Sequence, residues 1–400
     1  MRILVIHNRY TQYGGEDSVF ETETELLSSQ GHFVERLIFD SKEMQSFFLK
    51  CLSMLKMFYN PESARLLSSK IEDFRPDIIH VHNFFPIASP SIFFVANRYN
   101  VPIVVTLHNY RLVCPSAMLY YRNEIYENSL RSVFPLDSIL KGVYRNSILQ
   151  TAAIALMTTV HHWLGTWKNR VDRFVVLTRF AKSKFTASAL NIREDKFVIK
   201  PNFVMDFGSG QRDREDFFLF VGRLSEEKGI AVLLKATRLS NFKLKIIGDG
   251  PFRKQVEECA KDNPNIEYLG FHQKKTILEM MKRTQALIFP SVWYEGLPMT
   301  IIEAFSTGTP VIASRLGGMQ EVVTNEFNGL HFKAGDESDL VKKVDEMKLR
   351  HEDAKLFSDN ARRTYIEKYM PERNYILLTS IYEQAIREKS MAGQMATDLA

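Results

Sequence analysis

"ALIFPSVWYEGLPMTIIEAFSTGTPVIAS", residues 286–314, reads as a strand, a loop, a helix and a second strand. "ALIFPS" is a short apolar run of the kind a buried strand needs. Pro298 suits a first helical turn, because its φ is already helical and its missing N–H has no partner to lose there. The helix then runs through Ile301, Ile302 and Glu303 and ends near Gly308, after which "TPVIAS" is again strand-like. A strand that returns to a strand through a helix makes a parallel pair, so this stretch predicts an α/β fold.

Working outward, the pattern repeats on both sides. "FFLFVG" (217–222), "FKLKIIG" (242–248) and "IEYLGF" (266–271) read as strands. Helices are expected over 229–239, from about Pro251, and around 276–283. Nearer the start, "RILVIHN", "HFVERLIF", "DIIHVH" (77–82), "VPIVVTLHN" (101–109) and "DRFVVLT" (172–178) are strand-like, with a helix over 16–29 that Gly31 stops. Between the halves, "PNFVMDFGSGQRDRED" (201–216) is polar, contains Gly and lacks a period, which marks a linker. The expected division is 1–203, a linker 204–216, 217–368, a C-terminal helix 369–388 returning to the first domain, and a flexible tail 389–400.

The 400 residues exceed one ordinary core, in keeping with two doubly wound domains. Three scattered cysteines, Cys51, Cys114 and Cys259, give neither metal-ligand spacing nor a disulfide framework, which points to a reducing cytoplasm. The start lacks a signal peptide's length and cleavage site. The net charge of +5 is lopsided. Residues 1–200 hold 24 Lys+Arg against 18 Asp+Glu, whereas 201–400 hold 28 against 29. Between Arg98 and Lys184 there are 12 basic and 4 acidic residues, which suggests an anionic partner.

Candidate site residues gather at strand ends, where α/β sheets bind ligands. In "GRLSEEKG" (222–229), Arg223 and Lys228 can converge on an anion near a helix N-terminus, although two solvated surface cations would look the same. In "YGGED" (13–17), Gly14 and Gly15 let backbone approach a ligand closely; an ordinary Gly-Gly turn is the plain alternative. Glu295 stands in the loop after a strand and Glu303 within the following helix, so both can accept bonds from vicinal hydroxyls. The Gly296 and Leu297 amides would sit near phosphate. His80 and His82 alternate on one strand, and a structural role is expected of them.

Together, G-R-x(4)-K-G, then E-G-L-P-x(4)-E, then "GTPVIAS" and "GG", resemble glycosyltransferase family 4, the retaining enzymes that use nucleotide sugars. "KPNFVMD" resembles that family's interdomain segment, and "VTLHN" its T-x-H-D segment, with Asn109 where Asp is usual. The resemblance spans nearly the whole chain. "HNFFP…LHNYRLVCP" is further similar to members that build bacterial surface polysaccharides. It implies the GT-B fold, two Rossmann-like domains facing a cleft. By matching position, Arg223 and Lys228 would hold the diphosphate, Glu303 the ribose and Glu295 the hydroxyls of the donor sugar. Gly15 would approach the phosphates, His108 would lie near the reacting centre, and the base would meet the backbone near Gly270 and Phe271. With no Asp-x-Asp motif at a plausible strand end, the cations would replace a metal. No cofactor is expected beyond the nucleotide-sugar donor. Retention would proceed by front-face attack, with the leaving phosphate as base.

The expected acceptor is a growing polysaccharide or a lipid-linked oligosaccharide. A soluble enzyme making a small glycoside is the alternative, and a nucleic-acid-binding protein using the basic half is a more distant one. No recognised nucleic-acid motif is present. Leu149, Ala152, Leu156, Val160, Trp163, Leu164 and Trp167 form a helical stripe, followed by Lys168, Arg170 and Arg173. Core packing is the plainer reading; the sharper one is an interfacial helix on an anionic inner membrane, with residues 47–59 as a second face.

Overall fold

The computed structural model describes residues 1–9, 14–40, 55–210 and 213–398. Tyr13 and the expected membrane face over 47–54 lie outside the described residues. The chain divides into two units: residues 1–119, 126–200 and 374–400 form the first, and 120–125 with 201–373 the second.

The first unit is built on a parallel sheet of β1 (Arg2–Arg9), β2 (Phe33–Asp40), β3 (Ile78–Val81), β4 (Ile103–Leu107), β7 (Arg173–Val176) and β8 (Phe197–Ile199). Their spatial order is β2-β1-β3-β4-β7-β8. Apart from the half-exposed edge strand β2, these strands are mostly apolar and buried because helices cover both faces of such a sheet. Ile3, Val5, Ile78, Val104 and Val175 meet Phe20 and Leu27 of helix Gly15–Ser29 on one face. Leu378, Ile381, Tyr382 and Ala385 of the C-terminal helix complete that core. Each such side chain stabilises the fold by roughly 1.5–3 kcal/mol when fully buried.

The remaining two short strands, β5 (Tyr120–Tyr121) and β6 (Glu124–Ile125), make an antiparallel hairpin that belongs to the second unit. Nothing in the alternating pattern announces it. The second unit's main sheet holds β9 (Glu215–Val221), β10 (Leu244–Ile247), β11 (Ile266–Gly270), β12 (Thr284–Phe289), β13 (Val311–Ser314) and β14 (Gly329–Phe332). The order is β11-β10-β9-β12-β13-β14, all parallel. This is the doubly wound arrangement, with strand order reversing between β9 and β12.

Two boundaries differ from expectation. The first unit ends at Lys200, and the C-terminal segment rejoins it from Asn374. The final helix spans Pro371–Asp398, so residues 389–398 are helical rather than a tail. Lys389, Met391, Ala392, Gln394, Met395 and Ala396 are good helix formers, and Gly393 alone does not stop them.

Candidate functional site

The loops that follow β9 and β12 flank the point where strand order reverses in the second unit. They are stitched together. Val292 N donates to the Glu227 carbonyl at 2.9 Å, and Ser291 Oγ donates to the same carbonyl at 3.0 Å. Gly229, at φ +72°, turns the chain into helix Ile230–Leu239, and a Cβ there would collide with the Pro290 carbonyl. The glycine that ends "GRLSEEKG" is therefore required by close approach of the neighbouring loop.

This stitching brings Lys228 and Glu295 together: Nζ lies 2.7 Å from Oε1. Ser291 Oγ and Trp293 Nε1 also donate to Glu295 Oε1, at 2.7 and 2.8 Å. Glu295 is buried, so three donors hold a carboxylate that would otherwise lose its hydration. The Lys228 ammonium also faces the Trp293 and Phe289 rings, at 5.5 and 5.8 Å. Arg223 is exposed and makes no ion pair among the described residues. Gly296 follows Glu295 directly, and Leu297 is buried before helix Met299–Ser306.

Glu303 sits in the middle of that helix and pairs with Lys274 at 3.0 Å. Lys274 opens helix Lys274–Arg283, just past β11, and the sequence reading passed over it. Gly270 ends β11 at φ +74°, and Phe271 beside it is 78% exposed. An aromatic left in water beside a glycine turn offers a stacking face.

In the first unit, the ends of β1, β3 and β4 carry the other candidates. Gly14 and Gly15 are exposed where helix Gly15–Ser29 begins. A Cβ on Gly15 would meet nothing within 4 Å, so the space beside this residue is open. Asp17 fixes the turn: Oδ2 accepts from Gly14 N at 2.8 Å, and Oδ1 lies 2.9 Å from His7 Nε2. His108, just after β4, lines a small recess of about 30 Å³ with His82, Asn83, Phe84, Phe85 and Asn109 among its walls. Burial, then the nearby His82, holds the His108 imidazole well below its usual range, so it is neutral at pH 7.

Sequence reasoning missed what stands behind these residues. Asn109 donates to Glu16 Oε1 at 2.7 Å and accepts from Arg111 N at 3.0 Å. Burial pushes the Glu16 carboxyl up to about 7, against the opposing pull of Asn109 and Arg111. His82 Nδ1 lies 3.1 Å from His108 Nε2, and His82 Nε2 lies 3.2 Å from Glu23 Oε1. Glu23 Oε2 accepts from Lys200 Nζ at 2.5 Å, and both side chains are buried. Burial favours a neutral Glu23, yet Lys200, His82 and His80 outweigh it and hold the carboxyl well below the usual range. His80 is bound by the Thr106 and Tyr382 hydroxyls, each at 2.7 Å. Glu23, His80 and His82 are the group of described residues whose ligand atoms lie close enough for a metal ion. The Lys200 ammonium already supplies a cation there.

The helical stripe also behaves unexpectedly. Helix Ile148–Trp163 buries Thr151, Ile154, Ala155, Met157, Thr158, Thr159 and His161. Leu149, Leu156, Trp163 and Leu164 are exposed, Trp163 at 73%, while Trp167 is fully buried. The core-packing expectation therefore fails for the outer positions, because the helix is apolar on both faces.

Comparison with known proteins follows the same division of the chain. Residues 14–205 match the model "Glycosyltransferase Family 4", and 204–364 match "Glycosyl transferases group 1". The uncharacterized glycosyltransferase MJ1178 of Methanocaldococcus jannaschii is 24% identical over 96% of this chain and 98% of its own. The O-antigen chain mannosyltransferase C of Escherichia coli is 24% identical over 44% of this chain and 48% of its own. Among solved structures, Anabaena HepE in complex with UDP shares the fold, with a TM-score of 0.70. It is 14% identical, and the match covers 96% of this chain and 100% of that one. With two adjoining matches that leave only the ends of the chain uncovered, and a fold shared from end to end, this protein is a GT-B glycosyltransferase of the family 4 type.

Proposed function

We propose that this chain is a retaining, metal-independent hexosyltransferase. It moves a sugar from a nucleoside-diphosphate donor to a growing polysaccharide or lipid-linked oligosaccharide of the cell surface. The observation that carries the reading is the Lys228–Glu295 pair at the point where strand order reverses, with Arg223 exposed on the same loop as Lys228. As the bond from sugar to phosphate breaks, the diphosphate gains negative charge and the anomeric carbon becomes oxocarbenium-like. Arg223 and Lys228 stabilise the departing diphosphate by charge already in place. Glu295 accepts bonds from the sugar's hydroxyls, and Glu303 takes the ribose. The amides of Gly296 and Leu297 face phosphate, and the base meets Gly270 and Phe271. In the first unit, Gly15 lets backbone approach an anion closely, as does Gly14, whose own amide is held by Asp17, and His108 serves the reacting sugar.

The test is a screen of UDP-, GDP- and ADP-sugars for protection against thermal unfolding. A true donor raises the melting temperature through mass action, by an increment that grows with its concentration. A screen in which no nucleotide sugar protects, and none is hydrolysed or transferred, overturns the reading.

The acceptor side rests on the exposed stripe. No helix among the described residues is long and apolar enough to cross a membrane. Leu149, Leu156, Trp163 and Leu164 face water, as do Lys141, Arg145 and Lys168 nearby in sequence. Apolar side chains beside cations suit the interface of an anionic bilayer. We infer peripheral attachment at the cytoplasmic face, where a lipid-linked acceptor would be presented.

A further inference from the structure

We propose that His82, Glu23 and Lys200 form a buried relay that fixes the tautomer of His108, leaving Nδ1 of His108 as a bare acceptor for a sugar hydroxyl. The claim deepens the glycosyltransferase reading and rests on it for the identity of the hydroxyl alone.

The relay follows from counting donors. Lys200 can only donate, so Glu23 Oε2, 2.5 Å away, accepts. Glu23 is an ionised acceptor, and its Oε1 has two imidazole nitrogens within reach: His80 Nδ1 at 3.3 Å and His82 Nε2 at 3.2 Å. His80 Nδ1 already has the Tyr382 hydroxyl at 2.7 Å. When that hydroxyl donates, His80 carries its proton on Nε2, which donates to Thr106 Oγ1 at 2.7 Å. His82 Nε2 and Glu23 Oε1 face each other at 3.2 Å without the alignment of a hydrogen bond, and neither atom has another hydrogen-bond partner among the described residues, so the proton that meets the carboxylate is the one on His82. A bare nitrogen there would set a lone pair against a buried carboxylate.

The charge balance sharpens this. Glu23 and Lys200 neutralise each other inside the first unit, so a third buried charge on His82 would have no counterion. The His82 ring therefore carries one proton, on Nε2, and its Nδ1 is an acceptor. Facing that Nδ1 at 3.1 Å is His108 Nε2, which must donate. One proton remains on His108, so its Nδ1 has only a lone pair. No bond to that nitrogen is present among the described residues, and His108 lines the recess beside Asn83 and Asn109. The arrangement is the one by which buried partners fix which nitrogen of a histidine carries the proton. His82, Glu23 and Lys200 are positioning residues; they act through His108.

The experiment is a long-range nitrogen–proton correlation spectrum of the full chain with ¹⁵N-labelled histidine. The His108 signals are assigned by their loss in His108→Asn. The expected result is a protonated Nε2 and a bare Nδ1 on His108. In His82→Phe, which keeps a ring but removes both nitrogens, His108 should become a mixture of tautomers, with Nδ1–H newly populated. His82→Gln serves where the Phe variant does not fold. A protonated Nδ1 on His108 in the unaltered chain overturns the proposal, and so does an unchanged His108 pattern in a folded His82 variant. Neither result needs a substrate, so failure here is separate from failure of the donor screen.

Discussion

Lys228 and Glu295, 67 positions apart in sequence, share one ion pair at 2.7 Å, so the cation assigned to the phosphate is held by the acid assigned to the sugar. The two roles are consequently linked. Glu295→Ala removes a sugar contact and also releases Lys228. Glu295→Gln still accepts from Ser291 and Trp293. The expectation is that Glu295→Gln, which loses the charge facing Lys228 but keeps an amide oxygen for Ser291 and Trp293, lowers turnover more than it weakens nucleoside-diphosphate binding. Calorimetry with the bare diphosphate, set beside initial rates, decides it. Equal losses in both measurements would place Glu295 on the phosphate.

Arg223 and Lys228 should behave as phosphate contacts with different backgrounds. Arg223 is exposed, so Arg223→Ala should leave the melting temperature nearly unchanged and weaken diphosphate binding by ~1.5–3 kcal/mol, the usual range for a hydrogen bond to a charged group. Lys228→Ala should cost similar affinity and also lower the melting temperature, since it leaves the buried Glu295 with only its neutral donors. Unchanged affinity in both variants would remove these residues from the site.

Glu303 pairs with the half-exposed Lys274, and such pairs are worth little, about 0–1 kcal/mol. Glu303→Ala should therefore barely alter stability, yet weaken nucleotide and nucleotide sugar alike. Titrating both ligands against the variant checks it: a loss confined to the nucleotide sugar would reassign Glu303 from ribose to sugar.

Glu16 supplies a pH signature. Its carboxyl titrates near 7 in the folded chain, above its ordinary value of 4.5. Between those values the folded state holds the proton more often than the unfolded one, so stability falls as pH rises. The contribution is complete below about pH 4.5 and gone above pH 7. Melting curves from pH 5 to 8 should show the unaltered chain losing ground to Glu16→Gln as pH rises. Parallel curves would show that Glu16 has an ordinary carboxyl.

For the membrane reading, the chain should pellet with anionic vesicles at low salt and release partly at high salt, because screening weakens surface attraction. Trp163→Glu should abolish pelleting with little effect on melting, since Trp163 is exposed. Retention of pelleting by that variant would move the contact elsewhere.

Ten strands of the two main sheets were legible because parallel sheets covered on both faces leave unbroken β-branched and aromatic runs such as "RILVI" and "FFLFV", whereas the short edge strands β8 and β14 were passed over. Lys228 and Glu295 were picked out as candidates for a related reason: each lies six or seven residues past such a run. The relay behind His108 was not. Glu23 and Lys200 are 177 positions apart, and a buried lysine before Pro201 reads like any surface lysine. His80 and His82 did carry a signal, since polar rings two apart on a doubly covered strand point to the same buried face and must find partners there. Helix Ile148–Trp163 defeated periodicity in another way. Three threonines line its inner face beside Ile154, Ala155, Met157 and His161, while Leu149, Leu156 and Trp163 lie outward, so the largest apolar side chains did not mark the core.

The division of the chain also sets an order of events during synthesis. Residues 201–373 interrupt the first unit, whose core needs Leu378, Ile381 and Tyr382 from the last helix. At bacterial-to-eukaryotic elongation rates those residues emerge about 9 to 35 s after Lys200. The second unit's main sheet is by then fully synthesised. The first unit, begun first, waits with one flank of its sheet uncovered and with His80 lacking the Tyr382 hydroxyl. A ribosome stalled before residue 374 would thus hold a chain whose second unit can close while its first-made unit stays open to chaperones and proteases.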